Sequence, residues 1–551
     1  MRALPGRWMI PLVAVLAIAG SVAVTGMAHA QEIQVALSSC ARISATPILS
    51  GGSMTNDLKM LYRKTGTDRL WTGRAGLNRR GLVLLAALED ADAHGLDPER
   101  YDMTRIRSLL SLRSGQTSGA LDRLMSRALL LYIADMTCGR FAPDEIDSLV
   151  KYERPVASPL IVALAVLRAP DFSARIMALV PAHPAYLSLQ AALVAMRKTP
   201  PWQDVDFEIF GGAIEKGLRD RRIPRVRRRL AAEDPFLLSN ASEIELYDDD
   251  LAAAVRRFQG RHALPVDGVI GRHTLRALAV SHAERINQIK ANLDRWRWLP
   301  RSLGSRHVLV NLPAFRLYAV SNGRVDLDLA IIAGTPWRRT PLFVTLISET
   351  IFNPTWSVPP TIALNDLLPR IRSEADFFEA ENMALFENWN ADAARLDPAM
   401  IDWSMPDRDI LKYKLMKYPG PQNPLGTVKF DMPNQWSIYL HDTDKPEKFV
   451  SALRAMSSGC IRVENASSLA DFLLAPIDGW SAAKRRLMVA RGQTRAVAVP
   501  GYVPIYLIYQ TVTVAPDGAV IFHPDIYRLD AKYRRRLIEL AHETELAEDT
   551  P

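Results

Sequence analysis

Two short segments lie at the centre of this sequence: Ile438-Tyr439-Leu440-His441-Asp442-Thr443 and Ser457-Ser458-Gly459-Cys460-Ile461-Arg462-Val463. The first is an apolar, strand-like run that ends at a histidine, and the second places a cysteine directly after a glycine. Cys460 follows His441 by nineteen positions, which leaves room for a turn and for an amphipathic stretch containing Phe449, Leu453 and Met456. We therefore expect the chain to fold back and bring the thiol near the imidazole.

These residue types fit acyl chemistry. A cysteine attacks acyl groups as its thiolate, so it needs a nearby base or cation, and His441 is the natural candidate. Gly459 leaves the approach to the thiol open, and the backbone N–H groups of Gly459 and Cys460 are candidates to hold a developing oxyanion. Arg462 has the fixed charge and fork geometry that suit a carboxylate. From residue types alone, a half-buried cysteine beside a structural histidine remains an open alternative.

The two segments resemble the active-site signature of the YkuD-type L,D-transpeptidases, in the form used by their large periplasmic, YcbB-like branch. The similarity covers essentially the whole mature chain and is most specific over residues 305–530. Many smaller members carry a histidine directly before the Gly-Cys pair, where this chain has Ser458, which leaves His441 as the only candidate base. Further matching motifs are Asn353-Pro354-Thr355-Trp356-Ser357-Val358-Pro359, Pro419-Gly420-Pro421, Asn423-Pro424-Leu425-Gly426 and Tyr439.

The resemblance implies a reaction on peptidoglycan stem peptides. Cys460 would attack the carbonyl of the third residue, a diamino acid, in a donor tetrapeptide, and the terminal D-alanine would leave. The side-chain amine of a second stem would then resolve the thioester as a 3–3 crosslink. Carbapenem-type β-lactams would acylate the same thiol. The chemistry needs no metal or organic cofactor.

The resemblance also implies a role for each residue around the thiol. Cys460 would be the nucleophile and His441 the general base and acid. Three residues would support the site or the oxyanion: Gly459, Tyr439 and Asp442, the last through a backbone carbonyl that fixes the imidazole tautomer. Arg462 and Ser458 would bind substrate, whereas Trp356 is expected to be architectural.

Three other functions remain open at this stage. Water as acceptor would make the chain an L,D-carboxypeptidase, and a lipoprotein lysine as acceptor would make it a wall-anchoring transferase. A protein of another class, a non-catalytic peptidoglycan-binding scaffold, would leave Cys460 vestigial.

The N-terminus and the composition predict export. Arg2 and Arg7 precede an apolar stretch from Met9 to about Val24, and Ala28-His29-Ala30 has the small-x-small pattern of a cleavage site. We read residues 1–30 as a signal peptide and expect a periplasmic protein, attached to the inner membrane if the segment stays uncleaved. The net charge of +8 is mild for 551 residues, so no nucleic-acid partner is expected.

Cysteine usage is sparse. An oxidising compartment would allow a disulfide between Cys40 and Cys138 and leave Cys460 free, although the sequence does not establish that pairing. No CxxC pair or histidine cluster has metal-ligand spacing, so we expect no metal site.

Together these patterns predict a multidomain α+β protein. Within the expected helical scaffold, Leu82, Leu84, Leu85 and Leu88 form an apolar face. The basic run at 216–229 is read as a solvated face, and the glycine and turn pattern after it resembles a small three-helix peptidoglycan-binding domain. The predicted units are a helical scaffold at 31–210, the peptidoglycan-binding-like domain at 211–282, a linking helix at 283–304, a mostly-β catalytic domain at 305–531 and a C-terminal tail helix at 532–551.

Inside the catalytic domain, several stretches alternate as strands do, and Ser321-Asn322-Gly323 predicts a hairpin turn. Tyr502 to Val512 is expected to form one late strand. The strand pattern vanishes over residues 360–418, which resemble the capping insertion of the YcbB-like branch. We expect this insertion to be a lid that excludes water from the acyl-enzyme.

Overall fold

A computed structural model of the chain describes residues 52–73, 76–112, 118–152, 158–202, 211–234, 237 and 245–548. The predicted signal peptide lies outside these residues, as does Cys40 of the predicted disulfide; Cys138 is disulfide-bonded, whereas Cys460 is free. No helix in the described part of the chain has the length and hydrophobicity needed to cross a bilayer.

The first region is helical, as predicted. Its α-helices are α1 Gly52–Thr65, α2 Arg79–Glu89, α3 Met103–Ser111, α4 Ser118–Cys138, α5 Pro143–Ile146, α6 Pro159–Arg168, α7 Phe172–Met177 and α8 Pro184–Lys198. Three short strands accompany them, β1 Thr72–Gly73, β2 Gly76–Leu77 and β3 Val150–Lys151. Leu84 and Leu88 are fully buried, but Leu82 is 57% exposed, so its place on the apolar face was wrong. Because an α-helix has about 3.6 residues per turn, the side chains of Leu82 and Leu84 point to opposite sides of α2.

A compact three-helix domain follows, built from α9 Ile223–Ala231, α10 Asp249–Arg261 and α11 Arg272–Leu278. The basic run in it is not wholly solvated, contrary to expectation. Arg229 is only 1% exposed, because its guanidinium stacks 4.0 Å from the Trp202 ring and bonds Glu233. The linking helix α12 (His282–Arg297) begins at a capping box between Ser281 and Glu284.

The third region is mostly β, as predicted. Its main strands are β4 Arg306–Asn311, β5 Arg316–Ser321, β6 Arg324–Gly334, β7 Leu342–Phe352, β8 Trp356–Ser357, β9 Met383–Phe386, β10 Arg395–Leu396, β11 Lys414–Lys417, β12 Val428–Asp431, β13 Leu440–His441, β14 Ala455–Ser457, β15 Ile461–Val463, β16 Arg495–Ile508, β17 Val512–Val514 and β18 Val520–Phe522. The strands pair in the order β12-β13-β15-β6-β5-β4-β16-β7, and β7 also pairs with β12, so the sheet closes on itself. Asn322 and Gly323, both at positive φ, make the predicted hairpin turn.

The expected single late strand was wrong. The chain instead forms the longer β16, with an irregularity in register between Ala498 and Val503, and then the separate β17, which pairs with β18. Helices α16 (Ala466–Leu474), capped by the Asn465 side chain, and α17 (Ala482–Ala490) follow β15, and α18 (Leu529–Glu548) is the last element.

The segment 360–418 is not devoid of strands, which corrects the sequence reading. It contributes β9, β10 and β11 to a small sheet of order β10-β9-β11-β8, beside α13 (Pro360–Ile362), α14 (Leu368–Ser373) and α15 (Phe377–Ala380). A separate apolar core that includes Phe377, Leu385 and Leu415 holds this unit together. Strands of two to four residues are too short for alternation to be legible in a sequence.

The helical region is joined to the β region by both backbone and side chains. Strand β3 pairs in parallel with β7, through Val150 opposite Leu342. The buried Asp147 carboxylate bonds both Arg339, at 2.7 Å, and Lys532. The segment that carries Arg339 is therefore fixed by the helical region and by α18 together.

Candidate active site

Strand register brings the candidate catalytic side chains to one face of the closed sheet. Strands β13 and β15 are parallel neighbours, with Leu440 opposite Ile461 and His441 opposite Arg462. Leu440 and Ile461 are fully buried in the core. Because side chains alternate along a strand, the opposite face carries the residues on either side of them. These are Tyr439, His441, Cys460 and Arg462.

The His441 imidazole is neutral and fixed in one tautomer. Its Nδ1 donates to the backbone carbonyl of Asp442 at 2.6 Å, which selects the tautomer with the lone pair on Nε2, and the Pro424 backbone carbonyl also lies against the ring. Burial, followed by the nearby Arg462 guanidinium, lowers the pKa of His441 to about 3. The Asp442 carboxylate faces away and accepts from the Thr427 backbone N–H at 2.9 Å and hydroxyl at 2.8 Å. The arrangement gives Nε2 the form of a general base.

The Cys460 thiol is also neutral at rest. Burial raises the pKa of the Cys460 thiol above its ordinary value, and hydrogen bonds from the Tyr439 backbone N–H and hydroxyl oppose that rise only in part. The Sγ atom lies 3.9 Å from the Ser437 carbonyl. The thiol and the imidazole are thus both uncharged, which differs from a preformed thiolate–imidazolium pair.

Tyr439 connects the nucleophile to the capping unit. Its hydroxyl donates to Cys460 and accepts from the Trp356 indole, while burial keeps the pKa of Tyr439 well above its ordinary value. Its ring lies 5.6 Å from the His441 ring, centre to centre. Trp356 packs against the core of the capping unit, so its expected purely architectural role was incomplete.

The turn at residues 457–460, named the nucleophile turn after the candidate role of Cys460, is held by hydroxyl groups. Gly459 has φ +119°, and a Cβ there would lie 3.2 Å from Ile438 Cδ1, so glycine is required. Thr340 Oγ1 donates to the Gly459 carbonyl at 2.7 Å, and Ser457 Oγ donates to the Cys460 carbonyl at 2.5 Å. The Gly459 N–H, which we expected to face an oxyanion, instead donates to Ser457 Oγ at 3.2 Å. An oxyanion would have to replace that contact.

Arg462 is a half-buried cation, two of whose donor atoms have no partner among the described residues. Burial lowers the pKa of Arg462, although Asp444, Cys460 and Glu447 favour its charged form. Its Nε and Nη1 atoms are buried and have no hydrogen-bond partner among the residues that the structure describes. Because the residue as a whole is partly exposed, its positive charge can attract a carboxylate from solution.

Ser458 links the turn to the capping unit. Its hydroxyl is 3.0 Å from Arg338 Nη1, and Arg338 also forms a two-point ion pair with Asp366 at 2.7 and 3.2 Å. Asp366 belongs to a short π-helical turn, Ala363–Leu367, within the insertion. Asp366 of the insertion therefore reaches the turn through Arg338, and Trp356, whose strand β8 pairs with β11 of the insertion, contacts Tyr439.

Sequence reasoning missed Lys429, Ser457, Thr340 and Arg338. Lys429 lies in β12 directly opposite His441, and its Nζ is 4.4 Å from the centre of the Tyr439 ring. The available signal was a lysine between two apolar strand residues, Val428 and Phe430, since lysine is rarely placed inside a sheet without a partner. No cluster of three or more His, Cys, Asp or Glu side chains is placed to hold a metal ion within the described ranges.

Comparisons with known proteins divide the chain into three matched regions. Residues 56–193 match a "Scaffold domain", residues 224–278 a "Putative peptidoglycan binding domain" and residues 305–497 the YkuD family, an "L,D-transpeptidase catalytic domain". The chain is 32% identical over 243 residues to a "Putative L,D-transpeptidase" of Haemophilus influenzae, covering 44% of this chain. It spans 48% of the length of that relative.

Solved structures with similarity to the chain include two L,D-transpeptidases. That of Xylanimonas cellulosilytica is 15% identical and covers 54% of this chain and 98% of its own, with a TM-score of 0.18. That of Stackebrandtia nassauensis is 11% identical and covers 54% and 94%, with a TM-score of 0.21. Scores this low carry no weight, so the assignment depends on the sequence matches. By those matches, residues 305–497 are similar to the YkuD family of L,D-transpeptidase catalytic domains, and residues 224–278 are similar to a peptidoglycan-binding domain.

Proposed function

We propose that this chain is an L,D-transpeptidase that joins peptidoglycan stems through 3–3 crosslinks, by way of a thioester on Cys460. One observation carries the proposal: a thiol, a neutral imidazole held through its Nδ1 and a half-buried guanidinium share one face of two paired strands. Nucleophile, base and anion-binding group are the parts that acyl transfer from a carboxylate-bearing peptide requires.

In the first half of the reaction, His441 Nε2 accepts the proton of the Cys460 thiol while the sulfur attacks the carbonyl carbon of the third stem residue. Collapse of the tetrahedral intermediate breaks the peptide bond to D-alanine. The departing amine takes its proton from the His441 imidazolium. Because its surroundings disfavour the imidazolium, His441 is a strong acid once protonated and returns the proton readily.

In the second half, the side-chain amine of another stem attacks the thioester carbonyl. Nε2 accepts the proton that the amine loses, and the departing Cys460 sulfur takes it back, so the site returns to its neutral resting state. Tyr439 supports both halves, since its hydroxyl and backbone N–H point at the sulfur. Arg462 pairs with a carboxylate of the bound stem and orients the donor.

The insertion supports transfer over hydrolysis. Its Asp366 pairs with Arg338, which bonds Ser458, and it shares an apolar core with Trp356, which bonds Tyr439. A cover that excludes water while admitting a peptide amine favours crosslinking. Periplasmic location, supported by the pattern of residues 1–30, is part of the proposal.

Product analysis tests the proposal. Disaccharide-tetrapeptides are incubated with the protein and with Cys460→Ala, and products are identified by mass spectrometry. We expect 3–3-linked dimers only with the parent protein. Tripeptides without dimers would assign a carboxypeptidase, and transfer only to a lipoprotein lysine would assign an anchoring transferase. Binding to sacculi without any product would assign a scaffold.

A further inference from the structure

Lys429 has a defined place in the site that the reaction above does not use. It lies in β12 opposite His441, and directly opposite residues of paired strands share a face, so its side chain joins the catalytic face. Its Nζ is 4.4 Å from the centre of the Tyr439 ring and 3.2 Å from Asp431 Oδ1. The side chain is only 21% exposed, and these two contacts hold its charge in place.

The sulfur needs a positive charge that the histidine does not provide at rest. His441 Nδ1 is occupied by the Asp442 carbonyl, and burial and Arg462 keep the ring neutral. Partial burial of the Cys460 thiol raises its pKa and so disfavours its anion. Among the described residues, the charged or titratable groups that act on this thiol are Lys429 in β12, Tyr439 directly before β13 and Arg462 in β15. Asp444 and Glu447, which follow β13 in the chain, favour the charged form of Arg462.

We propose that Lys429 assists acyl transfer electrostatically: its ammonium, held over the Tyr439 ring, stabilises the negative charge that develops on the Cys460 sulfur. In the attack step the thiol proton goes to His441 Nε2, and the sulfur electron pair forms the bond to the acyl carbon. The same ammonium repels the imidazolium that results, which hastens return of the proton to the departing amine. The inference extends the proposed function, because it concerns the same nucleophile.

Alkylation of Cys460 by iodoacetamide, followed by mass spectrometry from about pH 7 to 10, tests this without any peptidoglycan substrate. Lys429→Met should lower the alkylation rate about tenfold at each pH below the thiol pKa, equivalent to an upward displacement of about one pH unit. Lys429→Arg should recover most of the rate, because it restores the positive charge. A merely structural role would not displace the curve.

The matched control is Lys484→Met, which removes a lysine 5.9 Å from the Trp480 ring, outside the catalytic face. We expect its alkylation curve to coincide with that of the parent. Thermal unfolding identifies a misfolded variant, in which case Lys429→Gln replaces Lys429→Met. An unchanged or faster rate in a folded neutral variant would overturn the role of Lys429. Failure of the parent to make dimers would instead overturn the proposed function, and the alkylation result would stand separately.

Discussion

The resting state of Cys460 and His441, the proposed catalytic pair, is the main finding at the scale of single residues. Burial raises the pKa of the Cys460 thiol and lowers the pKa of His441 to about 3, so both groups are neutral near pH 7. Proton transfer therefore accompanies attack on the substrate and does not precede it. A neutral thiol also reacts with oxidants more slowly than a thiolate does.

This resting state predicts a particular pH dependence. The alkylation rate of the parent protein should rise continuously from about pH 6 to 9, because the thiolate fraction increases tenfold per unit below the thiol pKa. Timed iodoacetamide labelling followed by intact mass gives the rate at each pH. A plateau that starts below neutrality would mean a preformed thiolate–imidazolium pair and would contradict the neutral state.

Arg462→Lys tests the anion site. The substitution keeps the charge but loses the two-point geometry of the guanidinium, so we expect KM for the tetrapeptide donor to rise about tenfold. Initial rates at several donor concentrations give KM and kcat separately. Arg485→Lys, which alters the ion pair with Asp471 outside the site, should leave both constants unchanged. An unaltered KM in the Arg462 variant would exclude carboxylate binding there.

At this scale the sequence identifies residues whose chemistry is distinctive and misses those whose role comes from register. A thiol, an imidazole and a guanidinium in two short segments are visible in the chain itself. The place of Lys429 opposite His441 depends on the register in which β12 pairs with β13. The residues between the two strands do not specify that register. The contact of Trp356 with Tyr439 likewise requires knowing where the insertion lies.

Among the structural elements, the insertion and the nucleophile turn are joined by an ion pair that can be tested. Asp366→Ala removes the carboxylate that orients Arg338 toward Ser458. Both side chains are partly exposed, so we expect a change in stability below about 1 kcal/mol. We expect the ratio of hydrolysed tripeptide to crosslinked dimer to rise several-fold, because the cover over the acyl-enzyme loosens.

Asp407→Ala is the control for that prediction. It removes an ion pair of similar length, 2.8 Å to Arg372, inside the insertion and away from the turn. Its product ratio should equal that of the parent. If both variants, or neither, change the ratio, the Arg338–Asp366 pair does not couple the insertion to catalysis.

Secondary-structure elements were predicted well where the alternating pattern extends over many residues. Strands β4 to β7 and the turn at Asn322-Gly323 follow from alternation and turn chemistry, and Asn465 caps α16 as its side chain allows. The small sheet of the insertion was missed because its strands are too short to alternate visibly. The break between β16 and β17 depends on pairing with β7 and β18, which no local pattern reports.

At the scale of the whole molecule, Asp147 ties three regions together. Burial alone would raise the pKa of Asp147. Hydrogen bonds from Arg339 and Lys532 instead keep that pKa below its ordinary value. Asp147→Asn should lower the free energy of unfolding by about 2 kcal/mol, less than for a fully buried pair, since both cations keep some exposure. Chemical denaturation at pH 7 measures the difference.

The pH dependence of that difference has a definite sign. A carboxyl whose pKa is lower in the folded state stabilises the fold above its unfolded pKa of about 4, and that contribution disappears as the pH falls through the folded value. The difference in free energy of unfolding between Asp147→Asn and the parent should therefore disappear in acid. Asp144→Asn, which alters a 3.9 Å exposed pair with Lys151, should show no gap at any pH. A gap that persists below about pH 2 would contradict the account.

The most direct measurement of the central claim is the intact mass of the full-length protein after brief incubation with a disaccharide-tetrapeptide and acid quenching. The account predicts a mass increase equal to the donor less D-alanine, located on Cys460, removable by hydroxylamine and absent from Cys460→Ala. Crosslinked product formed without such an adduct, or an adduct that persists in Cys460→Ala, would contradict it.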